Sequence, residues 1–236
     1  MDCRYFDCLY PAFDLALSPT PVSYNTCMRV LVFGDSVVDG RWDSQGGWVD
    51  RLKRDYNRLY LEKKDRKHEI MNLGVGGDDS SKLLKRLEPE INARYSASWP
   101  FVFVIAIGTN DSRLVDNLET PQVSEDEFRD NLQKIIEVCK RHGDKILFVS
   151  PNSVVEDQTK FKNLYFLVER IKKYDAIISE VAEKNHISKA DVLSEFESRD
   201  KSKLFFEDDL HPNDAGHELI YSLVKPELDK LLASEG

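Results

Sequence analysis

The stretch from 101 to 107, FVFVIAI, is apolar at every position. Alternate side chains of a strand leave opposite faces of its sheet, so a run like this needs apolar cover on both sides. A strand covered twice belongs at the centre of a parallel sheet with helices above and below. The rest of the chain is compatible with that demand. Shorter apolar runs at 28–34 (MRVLVFG), 68–73 (HEIMNL), 145–150 (KILFVS) and, more weakly, 186–192 (HISKADV) read as strands. Between and after them, helical periodicity marks stretches near 47–61, 80–94, 124–142, 160–185 and 213–233, with Pro212 suited to the opening turn of the last. This alternation predicts the α/β class, a three-layer α/β/α sandwich with about five parallel strands joined by right-handed crossovers.

At 236 residues, 41% hydrophobic and 32% charged, the chain suits one sizeable soluble domain, and no apolar run approaches membrane-spanning length. The formal net charge of −9 argues against nucleic acid or an anionic membrane as partner, since both require clustered Lys and Arg. The densest basic run, KKDRK at 63–67, is broken by Asp65 and reads as a solvated loop. The four cysteines, at 3, 8, 27 and 139, form no C-x-x-C pair and gather no histidine. They point away from a zinc site or a disulfide framework and toward reduced thiols in a cytoplasmic protein. Residues 1–27 hold a single basic residue and no sustained apolar run, so they do not read as a signal peptide. With Met28 directly before the first strand, they read as an extension preceding a domain at 28–236.

Open parallel sheets carry their sites in the loops after the carboxyl ends of the strands. Those loops contain Gly34-Asp35-Ser36, the glycine-rich run Asn72 to Asp78 (NLGVGGD), Gly108-Thr109-Asn110-Asp111 and, before the last helix, Asp208-Asp209-Leu210-His211-Pro212-Asn213. A serine hydroxyl attacks poorly at neutral pH unless a base takes its proton and an acid orients that base. His211 is the best base available. Asp208, three residues earlier, can fold back on its Nδ1, with Asp209 as a rival. Attack on a carbonyl also builds charge on oxygen, for which the backbone N–H groups of Ser36 and Gly77 and the Asn110 amide are candidate donors. Gly76, adjacent to Gly77, leaves that glycine assignment open by one residue, and Asp111 reads as the residue that holds its loop.

The four blocks GDS (34–36), NLGVGGD (72–78), GTND (108–111) and DDLHPND (208–214) resemble, in order and spacing, those of the SGNH, or GDSL, hydrolase family. The resemblance covers nearly everything after Met28. It implies a flavodoxin-like sandwich, Ser36 as nucleophile, Gly77 and Asn110 as oxyanion donors, and Asp208 with His211 completing a triad. Val37 stands where Leu is usual, and Asp209 where many members have Gly. Val38 occupies the second glycine position of G-x-S-x-G, so this is not the elbow of the α/β-hydrolases.

The expected activity is therefore hydrolysis of small or short-chain carboxylic esters through an acyl-enzyme, because the loops between blocks are modest and show no lid insertion. A carbohydrate O-deacetylase, or a lysophospholipase or thioesterase using the same triad, is the alternative, and a binding module without turnover is a further one. No cofactor is expected. No metal is expected either, because His211 and His217 do not have the i, i+4 spacing of zinc helices. Substrate contacts are expected from Asp35, Trp42 and Asn152. Trp48 reads as an anchor of the first long helix, His217 as a partly exposed helix residue, and His68, His142 and His186 as surface residues.

Overall fold

The computed structural model describes residues 27–63, 68–115, 120–155, 160–161 and 163–233. The extension before Cys27 and most of the KKDRK run lie outside the described residues. Along the chain the elements are β1 (Arg29–Gly34), α1 (Ser36–Asp39), α2 (Gly47–Lys63), β2 (Glu69–Gly74), α3 (Ser80–Ala93), β3 (Phe101–Ala106), α4 (Thr109–Ser112) and β4 (Leu114–Val115). They continue with α5 (Glu125–Lys140), β5 (Lys145–Val149), β6 (Lys160–Phe161), β7 (Leu164–Tyr165), α6 (Val168–Asn185), β8 (Ser188–Ala190), α7 (Leu193–Glu197) and α8 (Asp214–Ala233).

The main sheet has five strands in the order β2-β1-β3-β5-β8, all parallel. Renumbered within the sheet this is 2-1-3-4-5, the flavodoxin order, whose switch point lies between β1 and β3. Both faces are covered, as the FVFVIAI run requires. Leu31, Phe33, Phe103, Ile105 and Phe148 pack toward α3, α5 and α6 on one side. Val30, Val32, Val102, Val104 and Val149 pack toward α2 and α8 on the other. Strand alternation thus sorts the bulky side chains onto one face and valines onto the other. Trp48, 1% exposed, seals α2 onto the valine face. Among the described residues no helix is long and apolar enough to cross a membrane.

One expected element is shorter than its pattern. The 160–185 stretch becomes a small antiparallel hairpin, β6 and β7, followed by a helix that starts only at Val168. Leu167 is extended (φ −118°, ψ 132°), which stops the helix from reaching back. Phe166 joins Val154, Val168, Ile171 and Leu193 in a separate cluster with Leu164 and Leu210 at its edge. β7 also pairs with β4, directly after α4, so the hairpin is drawn to the end of the sheet where the polar loops gather.

Candidate active site

The first loop leaves β1 at Gly34, where close approach forbids a side chain. A Cβ there would lie 2.3 Å from the Ala106 carbonyl oxygen and 2.3 Å from Val38 Cγ2. Asp35 then caps the short α1, its Oδ1 accepting from the Val37 N–H at 2.9 Å. Ser36 is the first residue of that helix, at the carboxyl end of β1 beside the switch point.

The histidine loop is built differently. The Phe206 N–H donates to the His211 carbonyl (2.8 Å), the Asp209 N–H to the Phe206 carbonyl (3.0 Å), and Phe205 bridges Pro212. Asp208 Oδ1 accepts from the backbone N–H groups of Leu210 (3.1 Å) and His211 (2.9 Å). Asp208 Oδ2 lies 2.7 Å from His211 Nδ1, and His211 Nε2 lies 2.8 Å from Ser36 Oγ. The rival Asp209 takes a left-handed backbone (φ 57°), and its carbonyl accepts from the Val155 N–H. Burial pushes His211 below its ordinary value of 6.5, against the pull of Asp208. Burial opposes the charge on Asp208, but the backbone N–H and imidazole of His211 outweigh it and hold the carboxyl below its usual range. A neutral imidazole set between a hydroxyl and a carboxylate can accept the serine proton.

Trp42 closes this chain from outside. Its Nε1–H donates to Asp208 Oδ2 (2.9 Å), and its ring stacks on Phe206 with centroids 4.7 Å apart. These contacts hold it at φ 65°, a left-handed conformation that costs a non-glycine residue about 1–2 kcal/mol. Together with Ser36, Gly77, Asn110 and His211 it lines an open cleft of about 450 Å³, a size usual for small-molecule sites. Arg41, Arg113, Leu164, Phe166, Leu210, Glu207, Asp208 and Asp209 complete the walls.

Gly77 is in the cleft wall and Gly76 is not. A Cβ on Gly77 would meet nothing within 4 Å, so it is the φ of 81°, and not crowding, that requires glycine there. The Asn110 amide donates to the Asp78 carbonyl (2.9 Å) and to Asp35 Oδ2 (3.2 Å), while its Oδ1 accepts from Arg113 Nη1 (3.0 Å). Asp111 accepts from the Ser80 N–H at 2.8 Å, tying its loop to the start of α3.

Four expectations need correction. Asp35 and Asn152 do not line the cleft; both face a small interior cavity of about 20 Å³ behind it. Asp35 is buried because its carboxylate caps α1 and reaches Asn110, and that burial raises it to about 6. Asn152 donates to the carbonyls of Ser153 and Leu210, bracing the histidine loop. His217 is fully buried, its Nε2 3.2 Å from the Arg41 carbonyl oxygen, and burial pushes it down to about 4. His68 is also buried, edge-on to Tyr56. The sequence reading passed over Arg41, Arg113 and the Leu164–Phe166–Leu210 wall. The order of polar blocks carries no signal for them, since long and apolar side chains are aimed by tertiary packing.

A serine, an imidazole and a carboxylate in hydrogen-bonded sequence at the strand ends of a flavodoxin-like sheet define a hydrolase site of the serine type. Comparison with known proteins gives the family. The chain matches the GDSL-like Lipase/Acylhydrolase family over residues 32–219 and belongs to it, which makes it an ester-bond hydrolase. It is 29% identical over 143 residues to an uncharacterized lipoprotein of Bacillus subtilis (strain 168), YqeF, covering 58% of this chain and 54% of that protein, about half its length. It is 23% identical over 215 residues to the human isoamyl acetate-hydrolyzing esterase 1 homolog, covering 87% of this chain and 83% of the relative. Among solved structures, a lipase/acylhydrolase from Enterococcus faecalis superposes with a TM-score of 0.71 at 23% identity, over 89% of this chain and 99% of the other.

Proposed function

We propose that this chain is a serine esterase that cleaves small or short-chain carboxylic esters through an acyl-enzyme, with Ser36 as nucleophile, His211 as base and Asp208 as its orienter. The observation that carries the reading is the unbroken contact from Ser36 Oγ to His211 Nε2 and from His211 Nδ1 to Asp208. Ser36 Oγ attacks the ester carbonyl as its proton passes to Nε2. The oxyanion is met by the backbone N–H groups of Ser36 and Gly77 and by the Asn110 amide. Both hydrogens of that amide have acceptors in the resting site, so the longer bond, to Asp35, is the one exchanged for the oxyanion. His211 then protonates the leaving alkoxide. Water, deprotonated by the same imidazole, releases the acid and restores Ser36. Asp208 holds the tautomer that leaves Nε2 free for these transfers and stabilises the imidazolium.

The cleft volume supports substrates of modest size. Among the described residues Cys27 and Cys139 form no disulfide, which supports a reducing compartment such as the cytoplasm. A fluorophosphonate probe should label the protein at Ser36, and Ser36→Ala should lose both labelling and about 10⁶-fold of kcat on 4-nitrophenyl butyrate. Undiminished hydrolysis by that variant would falsify the mechanism. Faster cleavage of a long-chain than a short-chain ester would overturn the substrate size alone.

A further inference from the structure

Most arginines among the described residues pair with a carboxylate, as Arg29 does with Glu69, Arg51 with Asp43 and Arg86 with Asp78. The two that line the cleft do not. Arg41 follows the nucleophile's helix, and its backbone is fixed at both groups: its N–H donates to the Ser36 carbonyl (3.1 Å), and its own carbonyl lies 3.2 Å from His217 Nε2. Its exposed side chain turns back over the glycine-rich loop. A Cβ on Gly76 would lie 2.7 Å from Arg41 Nη2 and 3.9 Å from Ser36 Cβ, so the guanidinium and Ser36 border the same glycine and line the same cleft. Its charge is also felt at His211.

Arg113 stands in the same wall with neutral partners, Asn110 Oδ1 (3.0 Å) and Gln122 Oε1 (3.2 Å), and its buried Nε has none. Glu207 and Asp209 also border the cleft, yet among the described residues neither forms an ion pair with either arginine. In a chain with nine more acidic than basic side chains, carboxylate partners are abundant. Arg113 still lies in the field of Asp79, Asp111 and Asp35, whereas Arg41, in the cleft that holds Ser36, has no carboxylate partner among the described residues and keeps its guanidinium available to an incoming anion. Arginine also presents a planar fork of donors matched to two oxygens of a carboxylate or phosphate.

Resting on the serine-esterase reading, we propose that Arg41 is a specificity-determining residue that receives an anionic group, a carboxylate or phosphate, carried by the substrate a few bonds from the scissile carbonyl.

The test uses two pairs of isosteric esters on the full-length protein. One pair carries the charge on the acyl side: 4-nitrophenyl hydrogen adipate against 4-nitrophenyl methyl adipate. The other carries it on the alcohol side: 3-acetoxypropyl phosphate against its dimethyl phosphate ester. In at least one pair kcat/KM should favour the anion by roughly ten- to a hundredfold, chiefly through KM, the range of a charge-assisted hydrogen bond. The pair that responds identifies which side of the ester bears the anion. Arg41→Gln should bring the anion-to-neutral ratio close to one, and Arg41→Lys should retain part of it. A ratio at or below one in both pairs, or a ratio unmoved in Arg41→Gln, overturns the proposal while leaving the esterase reading intact. Failure to cleave any of the four esters overturns both.

Discussion

The nucleophile turn at 34–40 and the histidine loop at 206–213 bring their side chains within 2.8 Å of each other by different means. The turn is held by the core. Gly34 is wedged against β3, Asp35 is buried beneath α1, and Val38 packs fully buried on the valine face of the sheet. The histidine loop is held largely by its own polar groups, with Asn152 and Val155 bracing it from outside. Asp208 spends one oxygen on two of the loop's own N–H groups and the other on the imidazole and the Trp42 indole, and it keeps contact with solvent. The position of Ser36 is therefore part of what makes the protein fold, whereas that of His211 is a local polar arrangement. Substitutions of Gly34 or Val38 should therefore register mainly as lost stability, and those of Asp208 as lost activity.

The largest effect that sharpens this contrast is Asp208→Asn. It leaves the loop's outline in place but no longer enforces the productive tautomer, so kcat should fall about 10⁴-fold with little change in Tm. A large drop in Tm would instead show that the carboxylate carries the fold. Asn110→Ala removes one proposed oxyanion donor and should lower kcat by about 10²–10³-fold with a smaller change in KM. On the core-held side, Gly34→Ala forces a methyl group into the Ala106 carbonyl and Val38. It should cost about 1–3 kcal/mol, with Tm falling about 2–4 °C for each kcal/mol in a chain of this size.

The pH dependence tests the electrostatics of the self-held loop. Burial keeps the His211 pKa below 6.5, so the neutral base is already the main form at pH 7. The acid limb of kcat/KM should then lie below pH 6.5, with activity lost only as the pH falls through it. A limb above 6.5 would mean that the attraction of Asp208 exceeds the cost of burial. The smallest effect is Asp209→Gly. Glycine adopts the φ of 57° without penalty, so stability should rise by up to about 1 kcal/mol, read as a slightly higher Tm with unchanged activity on neutral esters. A fall would assign the Asp209 side chain a stabilising contact.

The parts legible in the sequence were those in which a residue type has few alternatives. A strand apolar at every position had to be central, and Ser36, Asn110, Asp208 and His211 stood out because polar residues directly after buried strands, or before a helix, need a reason to be there. Asp209 is the subtler case. The glycine common at that position marks a left-handed backbone, but only the structure explains what the departure from it means. Periodicity misled at 160–167, because Leu164 and Leu167 keep helical spacing while the backbone is extended, and spacing cannot tell whether an apolar residue faces the sheet or a loop cluster. His217 was misread for a related reason. Its place in the first turn of α8 did not reveal that the Arg41 carbonyl meets its ring nitrogen. Arg41 and Arg113 were invisible as site residues, since only the folded chain shows which guanidinium groups go without carboxylates.

The indole of Trp42 has a practical consequence. Of the three tryptophans, Trp48 is sealed in the interior and Trp99 lies against Arg29 at the far end of the sheet, whereas Trp42 is 52% exposed and bonded to the carboxylate behind the imidazole. Any occupant that dries the cleft or draws charge from that carboxylate changes the surroundings of this one chromophore. The protein thus carries its own optical gauge of occupancy, and a Trp42→Phe control isolates its emission from that of the other two.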